Sequence, residues 1–257
     1  MKRTAIGFQA INGKSHLKIG DNVNSGIFIE FMIEIKELNS EYEETKEFLR
    51  EISSRENFQD EYVENFISKR SKTQFIDRLN DKINNELLTK EKLTEKLQTE
   101  LSKENSKDKR KISKIKSENM ALNLIKELDI NIDKSVVTNY AKLRNFVKNE
   151  ELMNKRINNY FPGEKRICTV LDNYSVHYSY LVRLVAKILN IEFINLPSYS
   201  SNLNPIEQVW RTLKRELYTK YIESEEFLTQ RFTKIFYKII DRPSFTKKWK
   251  EKYIAKK

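Results

Sequence analysis

Cysteine is almost missing from this chain of 257 residues, in which Cys168 is the only one. One cysteine cannot build an internal disulfide framework, so the class of small disulfide-stapled secreted domains is excluded. Long apolar runs are missing too: none approaches the roughly 18 residues that a membrane-spanning helix needs, and the first residues have no hydrophobic stretch of the signal-peptide type. We therefore expect a cytoplasmic protein, with Cys168 as a small core residue of a buried strand.

Glycine and proline are scarce as well, at five and four residues. Neither occurs between Ile27 and Phe161, where Glu, Lys and Leu are abundant, and this composition favours long helices. Neither a glycine-rich nucleotide loop nor the ligand spacing of a zinc site is present. Two groups of apolar residues within this stretch recur mostly three or four positions apart, as in an amphipathic or coiled-coil stripe: Ile83, Leu87, Leu93, Leu97 and Leu101, and further on Ile112, Ile115, Leu122, Ile125 and Leu128.

The part of the chain that carries candidate chemistry reads as strand, helix, strand. The run Ile167–Leu171 is apolar and rich in β-branched residues, which predicts a buried strand, and Asp172 is the first residue beyond it. Helical apolar spacing and a second strand follow. Asn204 and Pro205 then predict a helix start, with Asn as N-cap and Pro at the first helical position, so Glu207 falls in the first turn.

Two carboxylates in these positions can converge on a hard divalent cation such as Mg²⁺. Displacement at phosphorus builds negative charge on the attacking and leaving oxygens, and two cations about 4 Å apart stabilise both. Each carboxylate also has a simpler interpretation: Asp172 begins a turn, and Glu207 is the partner of Asn204 in a capping box. His177 is either an auxiliary group for the scissile phosphate or a metal-bound water, or a packing histidine at a helix start.

A family resemblance shifts the balance between these interpretations. The strings LDNYSVH and LPSYSSNLNPIEQVWRTLK, with 34 residues between Asp172 and Glu207, resemble the second and third catalytic blocks of the mariner-like transposase superfamily, closest to its bacterial and archaeal insertion-sequence branch. The similarity is close over 167–217 and looser over 4–38. It implies a DDE catalytic domain with an α/β, ribonuclease-H-like fold, in which two aspartates and a glutamate hold two Mg²⁺ (or Mn²⁺) ions, cut DNA and join the freed 3′ end to a target.

Carried over position by position, the resemblance makes Asp172 the second aspartate and Glu207 the glutamate, both catalytic and both metal ligands. Asn173, His177 and Asn204 are auxiliary candidates beside them. The resemblance also implies double-stranded DNA, from transposon ends and target, as the partner, a homodimer as the assembly, and a prokaryotic, nucleoid-associated location.

The front of the chain departs from the family pattern. In the family, a first aspartate ends a strand that precedes the segment similar to Thr4–Ile11, and a helix-turn-helix lies further upstream, whereas here that segment opens the chain. Asp21, in a Gly-Asp-Asn turn, is a poor substitute. We therefore expect a truncated, C-terminal portion with an incomplete sheet. Two strand edges would then face a gap, and we expect the N-terminal hairpin to pair directly with the Asp172 strand and the isolated chain to be marginally stable.

The net charge of +11 is concentrated towards the end of the chain. Residues 208–257 contain 14 Lys/Arg against 6 Asp/Glu, with aromatic residues among the cations. This pattern favours a nucleic-acid face, although an amphipathic helix with a solvated basic side has the same pattern. The DNA-binding candidates are Arg211, Lys214, Arg215, Lys247 and Lys248.

These patterns divide the chain into four parts. Residues 1–38 form a hairpin, with its turn at Asn12 and Gly13, and a helix of the ribonuclease-H-like domain. Residues 39–160 form a helical insertion of amphipathic or coiled-coil character, 161–222 form the block with both carboxylates, and 223–257 form a basic helical tail.

Three functions compete. The first is a metal-dependent DDE transposase, truncated so that independent activity is in doubt. The second is a catalytically inactive remnant that binds DNA or associates with itself, and the third is a structural coiled-coil protein with an accidental resemblance. DNA nicking separates the first two. A separation of the Asp172 and Glu207 carboxylates far beyond about 8 Å would favour the third.

Overall fold

A computed structural model describes residues 4–20, 22–54, 114–158, 160–200, 203–219, 222–240 and 242–253. Within these ranges four strands form two separate sheets. Strand β1 (Thr4–Phe8) pairs antiparallel with β2 (His16–Gly20), and β3 (Ile167–Leu171) pairs in parallel with β4 (Ile191–Asn195). The helices are α1 (Ser25–Asn39), α2 (Glu43–Ser54), α3 (114–127), α4 (Lys134–Thr138), α5 (Tyr140–Lys148), α6 (Glu150–Arg156), α7 (Tyr180–Ile188), α8 (Ile206–Leu217), α9 (Glu225–Ile239) and α10 (Pro243–Tyr253).

The hairpin does not pair with the Asp172 strand, so the expectation of direct pairing is wrong. Strand β1 pairs with β2 from Thr4 to Phe8, and among the described strands it has no second partner. Packing against α8 holds the hairpin in place, because Gly7 lies so close to Trp210 that a Cβ there would be 2.5 Å from the indole ring. Asn12 and Gly13 lie in a longer loop rather than in a two-residue turn.

Helix α1 forms the centre of the main core. Its N-cap is Asn24, whose Oδ1 accepts a hydrogen bond from the Ile27 amide at 3.1 Å. Apolar residues then recur at helical spacing, and Ile29 and Ile33 are completely buried. Helices α2, α3, α5 and α7 contribute the other large side chains of this core, which include Leu49, Leu124, Val147 and Leu184.

A second core lies on the opposite face of the hairpin. Helix α8 buries Val209 and Leu213, and α9 buries Phe236 and Ile239, all of them fully. Alternate residues of β1 contact the two cores: Ile6 packs against the main core and Ala5 against the second. The hairpin therefore has α1 on one face and α8 with α9 on the other.

The β3–β4 sheet is covered on one face only. Leu171 and Ile191 contact the main core, but Cys168 is exposed and Ile194 is 47% exposed. The prediction of a fully buried strand with Cys168 in the core is therefore wrong. The reason is that the main core packs on one side of β3 and β4, and no described element covers the side of Cys168 and Ile194.

The described part of the predicted insertion is helical and packs into the main core through residues such as Leu124, Val137 and Phe146. The segment from Ile83 to Ile112, with most of the predicted coiled-coil stripe, lies outside the described residues. Among the residues that the structure does describe, no helix is both long enough and apolar enough to cross a membrane.

Candidate active site

A groove of about 980 Å³ separates the two sheets, and both predicted catalytic carboxylates line it. Asp172 follows the C-terminal end of β3, and Glu207 lies in the first turn of α8. Asn204 and His177 line the same groove. All four residues therefore lie along one groove.

The two carboxylate oxygens of Asp172 have different surroundings. Its Oδ1 accepts a hydrogen bond from the Tyr174 amide at 3.2 Å, as in an Asx turn, so the turn interpretation is correct for this oxygen. The side chain is 53% exposed, and Oδ2 has no partner among the described residues. One carboxylate oxygen is therefore held in place while the other is available to a ligand.

His177 packs beside Asp172. Its Nδ1 donates to the backbone oxygen of Asp172 at 3.1 Å and lies 3.2 Å from Oδ1, and its ring lies 4.7 Å from that of Phe28. Since a carbonyl oxygen can only accept, Nδ1 carries the proton and Nε2 of the neutral ring is an acceptor. The packing role of His177 is thus visible in the contacts, and its role towards a phosphate or a water stays a prediction.

The carboxylate of Glu207 is not used to cap its own helix. The Glu207 amide donates to the Asn204 oxygen at 3.1 Å, but no hydrogen bond within the described chain returns from the Asn204 amide to the carboxylate. Helix α8 begins at Ile206, one residue later than predicted, and the Ile206 amide donates to Asn204 Oδ1 at a long 3.4 Å. The capping-box interpretation is therefore wrong, and the Glu207 side chain is available to the groove.

Two tyrosines that sequence reasoning missed hold the loop after β3. The Tyr174 hydroxyl donates to the Val23 oxygen at 3.2 Å, which ties this loop to the start of α1. The Tyr178 hydroxyl donates to Oδ1 of Asn173, so this asparagine is oriented by its neighbour. In the sequence, the signal for this role is the position of the two tyrosines, two and six residues after Asp172.

The basic candidates on α8 extend away from the groove. Arg211, Lys214 and Arg215 are exposed, and they lie one and two turns beyond Glu207 on the side opposite the buried Leu213. From Glu207 to Arg215 the helix rises about 12 Å. Lys247 is exposed on α10, whereas the side chain of Lys248 lies outside the described set.

The oxygen ligands that line the groove meet only part of what a Mg²⁺ site needs. Mg²⁺ prefers oxygen ligands and needs one or two carboxylates beside waters and substrate phosphates, and Asp172 and Glu207 supply such oxygens to one groove. Within the described residues, no group of three or more His, Cys, Asp or Glu side chains is placed to hold a metal ion.

Comparison with known proteins supports a nuclease. A family model described as "DDE superfamily endonuclease" matches residues 93–229, more than half of the chain. The matched range includes Asp172, Glu207 and the whole of α8, and it also includes helices α3 to α6. It does not include the hairpin or α1. No curated protein and no solved structure matches the chain.

Proposed function

The chain belongs to the DDE superfamily endonucleases, and from this we propose that it is a metal-dependent DNA transposase of mariner-like type with a ribonuclease-H-like catalytic domain. The observation that carries the proposal is that Asp172 and Glu207 line one groove, while Oδ2 of Asp172 and the Glu207 carboxylate have no hydrogen-bond partner among the described residues. Double-stranded DNA is the substrate, and a homodimer is the expected assembly.

Asp172 and Glu207 would hold the divalent ions in this proposal. Such ions neutralise charge on the phosphate and lower the pKa of a bound water. The Tyr174 amide donates to the Asp172 carboxylate and so orients it, and His177 Nδ1 lies 3.2 Å from the same carboxylate oxygen. Arg211, Lys214 and Arg215 would bind successive phosphates along α8 and so direct a strand towards the two carboxylates.

We also consider a catalytically inactive member that binds DNA. The observation in favour of it is the missing third acidic ligand among the described residues near Asp172 and Glu207. In that case Arg211, Lys214 and Arg215 of α8 would still bind DNA, and strand cleavage would not occur.

A nicking assay on supercoiled plasmid in Mg²⁺ or Mn²⁺ tests both proposals. We expect the full chain to nick, and Asp172→Asn or Glu207→Gln to lower the rate by at least about 100-fold, as loss of charge-stabilising groups does. The matched control is Glu192→Gln, an exposed carboxylate outside the groove that pairs with Arg166 at 3.0 Å.

Two outcomes would count against the transposase. DNA binding without nicking by the unaltered chain would favour the inactive member. In a crystal grown with Mn²⁺, the two carboxylates should lie within about 8 Å of each other, and a separation of about twice that distance would remove the catalytic interpretation.

A further inference from the structure

Exposed tyrosines lie together at the end of the β3–β4 sheet where the candidate active site begins. Tyr174 and Tyr178 follow β3, and Tyr199 follows β4; because the two strands are parallel, both loops leave the same edge of the sheet. The Leu196 amide, three residues before Tyr199, donates to the Leu171 oxygen at 2.8 Å, so the two loops start side by side. All three tyrosine side chains are exposed.

A fourth exposed tyrosine at this end comes from α5. Helix α7 connects the parallel strands β3 and β4, so it runs back along the sheet and begins at the same end. The ring of Tyr140 lies edge-on to that of Tyr180, the first residue of α7, with centroids 5.6 Å apart. Arg183, one turn further along α7, is exposed and adds a positive charge near these rings. We call the four exposed side chains the tyrosine rim: Tyr140, Tyr174, Tyr178 and Tyr199. Among them, Tyr174 alone also lines the groove.

Two side chains of the tyrosine rim are held in position by their hydroxyl groups. Tyr174 donates to the Val23 oxygen at 3.2 Å and Tyr178 donates to Oδ1 of Asn173, while both side chains stay exposed. An aromatic side chain that is fixed before binding loses little conformational entropy when a ligand stacks on it. These two rings are therefore suited to a flat ligand with an aromatic face.

Tyr199 is the most exposed member of the rim. Its side chain is completely exposed, and it makes no hydrogen bond or ring contact with another described residue. Its backbone φ is 59°, in the left-handed region that costs free energy for a residue with a Cβ. Contacts within the described chain do not account for an aromatic ring in this position, whereas contact with a ligand does.

We propose that the tyrosine rim stacks unpaired bases of the DNA strand whose scissile phosphate lies at Asp172 and Glu207. Every base has a flat π-face, so exposed aromatic rings bind unpaired bases largely without regard to sequence, and a cation such as Arg183 binds the linking phosphates. Bases inside a duplex are stacked on one another and do not reach such rings. The inference rests on the proposed function for the choice of DNA as the ligand. It implies that the substrate is single-stranded or locally unpaired beside the bond that is cut.

Titration of the full chain with DNA in the presence of EDTA tests the rim without any cleavage. The probes are a single strand of about 12 nucleotides and the same sequence as a duplex. We expect Tyr199→Asn, which removes the ring and suits the left-handed backbone, to weaken single-strand binding by about 10- to 100-fold and to leave duplex binding unchanged. The slope of log affinity against log salt should stay the same, because an uncharged ring releases no counterions. Tyr199→Phe keeps the ring and should bind both probes as the unaltered chain does.

The matched control is Tyr42→Asn. Tyr42 is also an exposed tyrosine, but it follows the far end of α1, whose 15 residues are about 22 Å long, while Tyr174 contacts Val23 before the near end. Its replacement should leave the affinity for both probes unchanged.

Four outcomes would overturn the inference. They are a single-strand affinity that Tyr199→Asn leaves unchanged, an equal loss for single strand and duplex, an equal loss in Tyr42→Asn, and no single-strand binding by the unaltered chain. The result is independent of the nicking assay. A chain that nicks plasmid while its single-strand affinity does not depend on Tyr199 would keep the proposed function and lose the rim. A chain whose single-strand affinity depends on Tyr199 but which never nicks would lose the transposase and keep the rim.

Discussion

At the scale of single residues, Lys36 is a charged side chain inside the main core. It is 1% exposed, its Nζ lies 3.6 Å from Oε2 of Glu164 and 5.1 Å from the centre of the Phe161 ring, and Ser40 donates a hydrogen bond to the other Glu164 oxygen. Burial lowers the pKa of Lys36, and the neighbouring Glu164 carboxylate opposes this shift. The pair ties α1 to the segment that leads into β3.

Removal of one partner of this pair is expected to destabilise the protein. Glu164→Gln leaves the Lys36 ammonium buried without its counter-charge, and we expect a loss of about 3 kcal/mol in the free energy of unfolding. Lys36→Met combined with Glu164→Gln leaves no buried charge, so the double variant should lose clearly less. Urea denaturation of both variants measures the difference. Equal losses would show that the charge pair is not the source of the effect.

The same lysine predicts how stability depends on pH. Because its pKa in the folded state lies below the ordinary 10.5, the unfolded chain binds more protons between these two values. The free energy of unfolding should therefore increase as pH rises from the folded pKa of Lys36 towards 10.5. It should decrease again as pH falls back through this range. The Lys36→Met variant should lack this contribution in denaturation curves recorded from pH 8 to 10.

At the scale of elements, the contact between the hairpin and α8 depends on Gly7. A Cβ at this position would lie 2.5 Å from two atoms of the Trp210 ring, whereas a Cβ at Gly20 would meet nothing closer than 3.9 Å. We expect Gly7→Ala to destabilise the protein by about 1–3 kcal/mol through overpacking, and Gly20→Ala to change stability by less than about 0.5 kcal/mol. Chemical denaturation compares the two alanine variants, and similar midpoints would contradict the role of this contact.

Helix α8 is expected to bind DNA along its exposed side. Lys214→Ala with Arg215→Ala should weaken DNA affinity and reduce the slope of log affinity against log salt by about one for each phosphate-binding side chain that is removed. The same reasoning applies to Lys247 and Lys248 on α10. Titrations at several salt concentrations measure the slope.

A matched control for the α8 pair exists on α6. Lys155 and Arg156 are also adjacent and exposed, and their replacement by Ala removes the same charge from a different helix. If both double variants reduced the slope equally, the effect would come from the lower net charge of the protein. Helix α8 would then be a solvated helix that does not bind DNA preferentially.

At the scale of the whole molecule, the arrangement of the sheets predicts uneven stability. Strand β3 has one edge on the groove, and the sheet that it forms with β4 has one face uncovered, while α7 buries Val182, Leu184 and Val185 completely. In the isolated chain we expect the groove-facing amides of Ile167–Leu171 to exchange at least about tenfold faster than those of α7. Strong protection of Ile167–Leu171 would instead show a stable core, and the prediction of marginal stability would be wrong.

The sequence by itself determined the elements that local pattern encodes. Ile167–Leu171 is a strand with the predicted bounds. Helix α7 lies inside the stretch with helical apolar spacing, and α8 begins one residue after the start predicted from Asn204 and Pro205. The family follows from the blocks around Asp172 and Glu207. These features depend on residues close together in the chain. Backbone preference and side-chain periodicity therefore suffice to predict them.

Only the tertiary structure decided which edges pair, which face of β3 is covered, and that Lys36 is buried against Glu164. Each of these depends on segments far apart in the sequence, whose contacts are selected by packing and not by local preference. A strand pattern specifies that an edge exists but not what lies beside it. For this reason the groove between β1 and β3, the exposed position of Cys168 and the contact of Gly7 with Trp210 follow from the folded chain alone.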